Sequence, residues 1–238
     1  MERGADGQHC LVTGANRGLG LELARQLLAR GWHVVATCRQ PGKATALNAL
    51  AGEYPGRLHV APLDVAEPRS HAALAVELPL LTGGETLDLL VNNAGVLRGG
   101  ERYGGVQAVD LEASFRTHAS GPFLLTQRLL PLLTDAARVV NISSKLGSIA
   151  LLREFRSPSY SIGKAAQNMA TALLSHALRA RGIVVVALHP GWVRTDMGGA
   201  SAPLDPQAAA AALLDVIAGL RAEDSGAFLD WQGSPLPW

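Results

Sequence analysis

The sequence predicts an α/β fold: one doubly wound parallel sheet of the Rossmann type, with helices on both faces. Three observations predict it. Short β-branched or apolar runs alternate with longer helical patterns along the whole chain. Several of these runs are apolar without alternation, as strands buried on both faces must be. A glycine-rich turn also stands directly between the first strand pattern and the first helix pattern.

Taken in order, the strand patterns are HCLVT (9–13), HVVATC (33–38), LHVAPL (58–63), LDLLVN (87–92), RVVNIS (138–143), IVVVAL (183–188) and AFLD (227–230). Between them lie helical patterns at 19–30, 113–133 and 159–181. Pro131 is expected to close or kink the second, because a proline inside a helix removes a hydrogen bond and crowds the preceding turn. No long linker, repeat or low-complexity tract interrupts the order, so residues 1–238 are expected to form one domain of this type.

Composition narrows the function. A formal charge of +1 over 238 residues gives no field for capturing nucleic acid or an acidic membrane. Cys10 and Cys38 both sit in apolar runs and read as buried, reduced thiols. MERGADGQ at the N-terminus has no apolar core for a secretory signal. The most apolar helical stretch, 207–220, is too short to span a bilayer and carries Asp215. The expected setting is cytoplasmic, with no metal site.

In an open parallel sheet ligands sit at the carboxyl ends of the strands, so the residues just after each strand matter most. After the first comes TGANRGLG, in which Gly14, Gly18 and Gly20 make G-x-x-x-G-x-G and lead straight into a helix. Close backbone approach and a helix N-terminus suit a pyrophosphate; the competing reading is a tight turn with no ligand. The second strand ends in Cys38-Arg39. A carboxylate there would hydrogen-bond the adenosine 2′-hydroxyl of NAD and repel a 2′-phosphate. Arg39 and Arg17 supply forked cations instead, which favours NADP(H) over NAD(H).

Tyr160-Ser-Ile-Gly-Lys164 lies in a helical pattern, placing phenol and ammonium one turn apart on one face. An ammonium there is expected to stabilise phenolate and pull the tyrosine toward neutrality, as a proton donor to a carbonyl requires. Asn92-Asn-Ala-Gly95 follows the fourth strand, serines follow the fifth, and Pro190-Gly191 follows the sixth. With these motifs in this order, essentially the whole chain resembles the short-chain dehydrogenases/reductases. TGANRGLG, HPGWVRTDM (189–197) and FLDWQGSPLPW (228–238) look most like the C-factor/Sniffer-type carbonyl reductases.

That resemblance implies roles. Tyr160 would be the general acid in reduction and the base in the reverse direction. Lys164 would hold the nicotinamide ribose, and Ser144 would hydrogen-bond the substrate carbonyl oxygen. Cofactor contacts would come from Gly14, Asn16, Arg17, Gly18, Leu19, Gly20 and Arg39, and from Asp64 and Val65 at the adenine. Asn92, Ala94 and Gly95 would lie along the adjacent ribose region, with Tyr160, Lys164, Pro190, Gly191, Val193 and Thr195 at the nicotinamide end. Asp64 reads equally as a turn residue, and Asn92 and Asn93 as loop hydrogen-bonders.

One position departs from the family. A helix asparagine usually completes a tetrad with Ser, Tyr and Lys and helps hold a water; the alignment of THASGPF places His118 there. Three readings compete: a neutral imidazole that still anchors water, a group that titrates, or a broken relay. With Ser144, Tyr160 and Lys164 all present, the expectation is an active enzyme whose proton relay His118 tunes.

The fifteen residues between Ser144 and Tyr160, with the segment after Thr195, are expected to wall the substrate pocket. Leu146, Leu151, Leu152, Phe155, Trp192 and Met197 would make it apolar, for a small carbonyl or alcohol substrate. Members of the family commonly pair through the helix containing the Tyr–Lys motif and the one before it, so a homodimer or homotetramer is the expectation. The rivals are a non-catalytic NADP(H)-binding regulator on the same fold, and an isomerase or dehydratase using the cofactor transiently.

Overall fold

The computed structural model describes residues 7–238. The chain runs β1 (His9–Thr13), α1 (Gly18–Ala29), β2 (His33–Cys38), α2 (Thr45–Glu53), β3 (Leu58–Pro62), α3 (Pro68–Leu81) and β4 (Leu87–Asn92). It continues through α4 (Ala108–Phe115), α5 (Gly121–Leu129), β5 (Leu133–Ile142), α6 (Pro158–Leu178), β6 (Val184–His189), α7 (Pro206–Gly219) and β7 (Phe228–Asp230). The strands form one sheet in the order β3-β2-β1-β4-β5-β6-β7, and every neighbouring pair is parallel. The order reverses between β1 and β4, and that switch point opens the crevice where such sheets take ligands.

Alternate residues of each strand feed opposite layers. Cys10 and Val12 face Leu23 and Leu27 of α1, Leu50 of α2 and Leu213 of α7. Leu11 and Val35 face Leu74 of α3, Leu125 of α5 and Leu174 of α6. Each such buried leucine contributes about 1.5–3 kcal/mol relative to exposure, which explains why strands with two dry faces read as unbroken apolar runs. Cys10 and Cys38 are both buried and unpaired. Among the described residues no helix is long and apolar enough to cross a membrane, and no His/Cys/Asp/Glu cluster could hold a metal ion.

The structure adds to the expected helices and corrects one of them. α2 and α3 are helices that the patterns did not single out: α2 has no side-chain cap, and α3 contains Pro79 near its end. The expected helix over 113–133 is also broken. α4 ends at Phe115, a π-turn occupies Arg116–Ser120, α5 follows, and Leu130–Leu132 tightens to a 3-10 turn around Pro131. The cause lies in Gly121-Pro122. Pro122 has no N–H for the carbonyl one turn earlier, so the ladder widens. Gly121 passes against the backbone at Val65, where a Cβ would collide with the Val65 carbonyl oxygen.

Candidate active site

The glycine turn is held from β4. Gly14 (φ +66°) and Gly18 (φ +55°) adopt left-handed backbone, and a Cβ on Gly14 would come within 2.8 Å of Ala94 Cα. The Thr13 hydroxyl oxygen accepts the N–H groups of Asn93 and Ala94, each at 3.0 Å. Asn93 Nδ2 donates to the carbonyls of Thr13 (2.9 Å) and Gly14 (3.2 Å). Asn93 therefore ties the turn to β4. At Gly20 a Cβ would run into that same amide nitrogen. α1 begins behind an Arg17 N-cap that makes no side-chain cap, so its first N–H groups stay available to an anion. Asn16 and Arg17 are exposed on the turn, and Leu19 is half-buried beneath it.

The two arginines have different partners. Arg39 is exposed beyond β2 and makes no hydrogen bond or ion pair among the described residues. Arg17 pairs with Asp196 at 2.7 Å, bridging the turn to the segment after β6. Asp64 closes an Asx turn, accepting the Ala66 N–H at 3.0 Å. Val65 is buried, and its carbonyl accepts from His71 Nε2 at 2.9 Å.

At the other end of the crevice, the two serines after β5 face different ways. The Ser143 hydroxyl donates to Asn168 Oδ1 at 2.6 Å, pinning the strand end to α6. Ser144 caps the turn Lys145–Gly147 by accepting the Leu146 N–H at 3.1 Å, and its hydroxyl lies near enough to Tyr160 to bear on the phenol. Gly147 packs so tightly on α6 that a Cβ would meet Lys164 Cβ at 2.8 Å. Lys164 is buried and donates to the Ile142 carbonyl (2.6 Å) and to Gln167 Oε1 (2.9 Å), with Nζ 5.6 Å from the Tyr160 ring centroid.

The electrostatics depart from the expectation drawn from the Tyr–Lys spacing. Burial pushes the Tyr160 phenol up to about 12, with the Ser144 hydroxyl pulling the other way. Burial also brings the Lys164 ammonium down to about 7. In the protein alone desolvation outweighs the lysine's pull on the tyrosine. The phenol is accordingly a held proton.

His118 is fully buried in the π-turn, edge-on to the Tyr160 ring at 5.1 Å and 83°. Its Nε2 accepts the Val96 N–H at 3.0 Å, so the neutral ring's proton sits on Nδ1 and is donated to Ser114 Oγ at 3.1 Å. A Cβ on Gly95 or Gly163 would press on this ring at 3.2 and 3.1 Å. Burial first, and the Lys164 charge second, hold its pKa well below the ordinary histidine value. Both nitrogens are committed and protonation would set a donor against the Val96 N–H. Of the three readings of His118, these hydrogen bonds favour a neutral imidazole over one that titrates near neutral pH.

Asn92 is buried and turned inward, with Nδ2 donating to Asn141 Oδ1 at 2.9 Å. Its side chain packs into the interior behind the site. Pro190 and Gly191 follow β6, and Gly191 (φ +84°) leaves room for Leu204 and Trp231. Val193 bridges to Leu204. Gly18 lets Thr195 close on the glycine turn, since a Cβ at 18 would stand 3.3 Å from Thr195 Cγ2. Leu152, Phe155, Trp192 and Met197 are all exposed around the mouth, and Phe155 meets Tyr103 edge-on at 5.9 Å. The last residues fold back here: Ser148 Oγ donates to the Pro237 carbonyl (2.7 Å), and the Ala150 N–H donates to the Trp238 carbonyl (3.0 Å). Trp238 stacks on Phe228. Among the supporting residues the sequence reading missed are Gln167, Ser114 and Glu101, which accepts from the Ser159 hydroxyl at 2.9 Å. Only Gln167, three residues past Lys164 on one helix, carried a readable signal.

Fold and site together define a dinucleotide-binding oxidoreductase. The family model for short chain dehydrogenases matches residues 8–204, and the chain belongs to the short-chain dehydrogenase/reductase family. It is 42% identical to C-signal of Myxococcus xanthus over 154 residues, 64% of this chain and 93% of that protein. The NADPH-bound carbonyl reductase from chicken fatty liver is 39% identical, with TM-score 0.91 over 97% of this chain and 99% of that one. The carbonyl reductase Sniffer of D. melanogaster is 33% identical, with TM-score 0.92 over 98% and 99%. These likenesses make the chain an oxidoreductase of the carbonyl reductase type.

Proposed function

We propose that this protein reduces the carbonyl group of a small apolar substrate with NADPH, Tyr160 giving the proton. The observation that carries the proposal is the cluster of Ser144, Tyr160 and Lys164 at the carboxyl ends of the strands, with the Lys164 ammonium 5.6 Å from the Tyr160 ring centroid. The residues present fit the dinucleotide: left-handed glycines at the turn, an α1 N-terminus without a side-chain cap, and an unpaired Arg39 for a 2′-phosphate. The nicotinamide would supply the hydride.

The remaining work falls to the chain. As negative charge develops on the substrate oxygen, Ser144 and Tyr160 offer hydroxyl donors to it. Tyr160 is protonated at neutral pH in the protein alone, where burial raises its pKa; giving up that proton depends on the Lys164 charge stabilising the phenolate that forms. Lys164 stabilises the phenolate left behind and keeps one N–H for the ribose, its others going to Ile142 and Gln167. His118 holds the ring of Tyr160 in place through its edge-on contact. Leu152, Phe155, Trp192 and Met197 supply an apolar mouth. Exposed Val109 and Phe115 on α4, with Ile162, Met169 and Leu173 on α6, suit pairing with a second copy.

The test is NADPH oxidation over a panel of apolar aldehydes, ketones and quinones, with Tyr160→Phe as control. Turnover that disappears in the control is the expected result. A second reading, a non-catalytic NADP(H)-binding signalling protein, is favoured by the 42% identity to C-signal. Tight NADPH binding with no turnover on any carbonyl would decide for it.

A further inference from the structure

Lys164 is buried in a place that offers no counter-charge. Among the described residues no carboxylate lies within ion-pair distance of Nζ, and its hydrogen-bond acceptors are the Ile142 carbonyl at 2.6 Å and Gln167 Oε1 at 2.9 Å. The groups packed around it are Tyr160 and Gln167 from α6, His118 from the π-turn, the end of β5, and the backbone at Gly147. Of these only Tyr160 and His118 titrate, and His118 is neutral with both nitrogens engaged.

Gln167 is itself almost wholly buried, and its Nε2 has no hydrogen-bond partner. An unpartnered buried amide N–H weakens a fold, and an apolar side chain of equal length would avoid that cost. Gln167 cannot relieve it by turning over, because that would aim N–H groups at the ammonium. Its orientation is dictated by Lys164 alone. The same residue's backbone carbonyl accepts the Thr171 hydroxyl at 2.9 Å, and Thr171 accepts from Asn141, which in turn accepts from Asn92. This chain of polar side chains fixes the α6 turn on which Gln167 sits against β4 and β5.

We infer that Gln167 is a positioning residue for Lys164: its side-chain oxygen keeps the buried lysine charged and leaves one N–H of Nζ aimed at the crevice. Burial pulling the ammonium down to about 7 makes that acceptor matter most near neutral pH. The inference builds on the proposed reductase site, but its test does not need turnover.

The chain has three lysines, so NMR of protein labelled at lysine Cε resolves Lys164 readily, with Lys164→Met confirming the peak. Cofactor-free wild type is titrated beside Gln167→Met, which keeps length and loses the acceptor, and Gln167→Glu, which turns it into a carboxylate. The expected Lys164 midpoint moves down by about one pH unit in the first and up by at least about one in the second. In an active protein the basic limb of the kcat/KM profile moves in the same two directions. A purely structural residue would lower activity at every pH and shift neither midpoint. Coincident titrations, or shifts of one sign in both variants, overturn the inference. Should Gln167→Met fail to fold, an unshifted or lowered midpoint in Gln167→Glu alone overturns it. Opposite shifts in a protein without carbonyl turnover would sink the reductase reading and leave Gln167 in its role.

Discussion

The two ends of the crevice are built on different principles. The dinucleotide end is made of backbone: left-handed glycines, an α1 N-terminus without a side-chain cap, and Asn93 stitching the turn to β4. The reaction end is made of buried side chains in mutual contact, with Lys164, Gln167, His118 and Ser114 all nearly inaccessible. The first should keep binding a dinucleotide through changes that spare its glycines and the Thr13 and Asn93 ties, with Arg39 bearing only on which dinucleotide it prefers. The second should propagate every change through its neighbours, because buried polar groups have no water to fall back on.

The largest expected effect sharpens that contrast. Tyr160→Phe should cut turnover by roughly 10²–10⁴-fold while NADPH affinity, followed by fluorescence titration, stays near wild type. Gly14→Ala should do the reverse. It loses the cofactor first and destabilises the fold by at least about 1–3 kcal/mol in urea melts, since left-handed backbone and contact with Ala94 both oppose a Cβ. A Gly14→Ala protein with unchanged NADPH affinity would break the comparison.

Arg39→Ala is expected to lower the kcat/KM preference for NADPH over NADH by about 10–100-fold, the worth of a charge-assisted hydrogen bond to phosphate. Acid stability comes next. His9, His71, His118 and His189 all have pKa values lowered by burial, so the unfolded chain binds more protons than the native one below about pH 6.5. Their contribution is complete above that pH and is lost as pH falls toward the native values. His118→Asn should flatten the urea-measured stability slope by about one proton, or ~1.4 kcal/mol per pH unit. An unchanged slope would mean that His118 is charged in the native protein. The smallest effect belongs to Asp196→Asn: the exposed Arg17–Asp196 pair should move stability by less than about 1 kcal/mol.

The backbone-built end was legible in the sequence because glycine spacing, strand runs and the residues that follow them are local signals. All seven strands stand where apolar runs were read, though β5 starts at Leu133 because its first half pairs with β4 across an irregular register. The side-chain end was legible only as identities. Nothing local in THASGPF says that Gly121 must clear the Val65 carbonyl, that Pro122 widens the helix, or that Val96 and Ser114 claim both nitrogens of His118. Spacing placed Tyr160 and Lys164 one turn apart, yet the direction of the tyrosine's pKa depends on how dry the finished site is.

The fold-back of Pro237 and Trp238 onto Ser148 and Ala150 anchors the segment after β5 from a point far away in sequence. The segment after β5 and the tail that follows β7 form a single braced span. Changes around Trp238 can therefore reach the segment between Ser144 and Tyr160 while the glycine turn and the Tyr160–Lys164 helix remain untouched: the two ends of the crevice hang on separate girders.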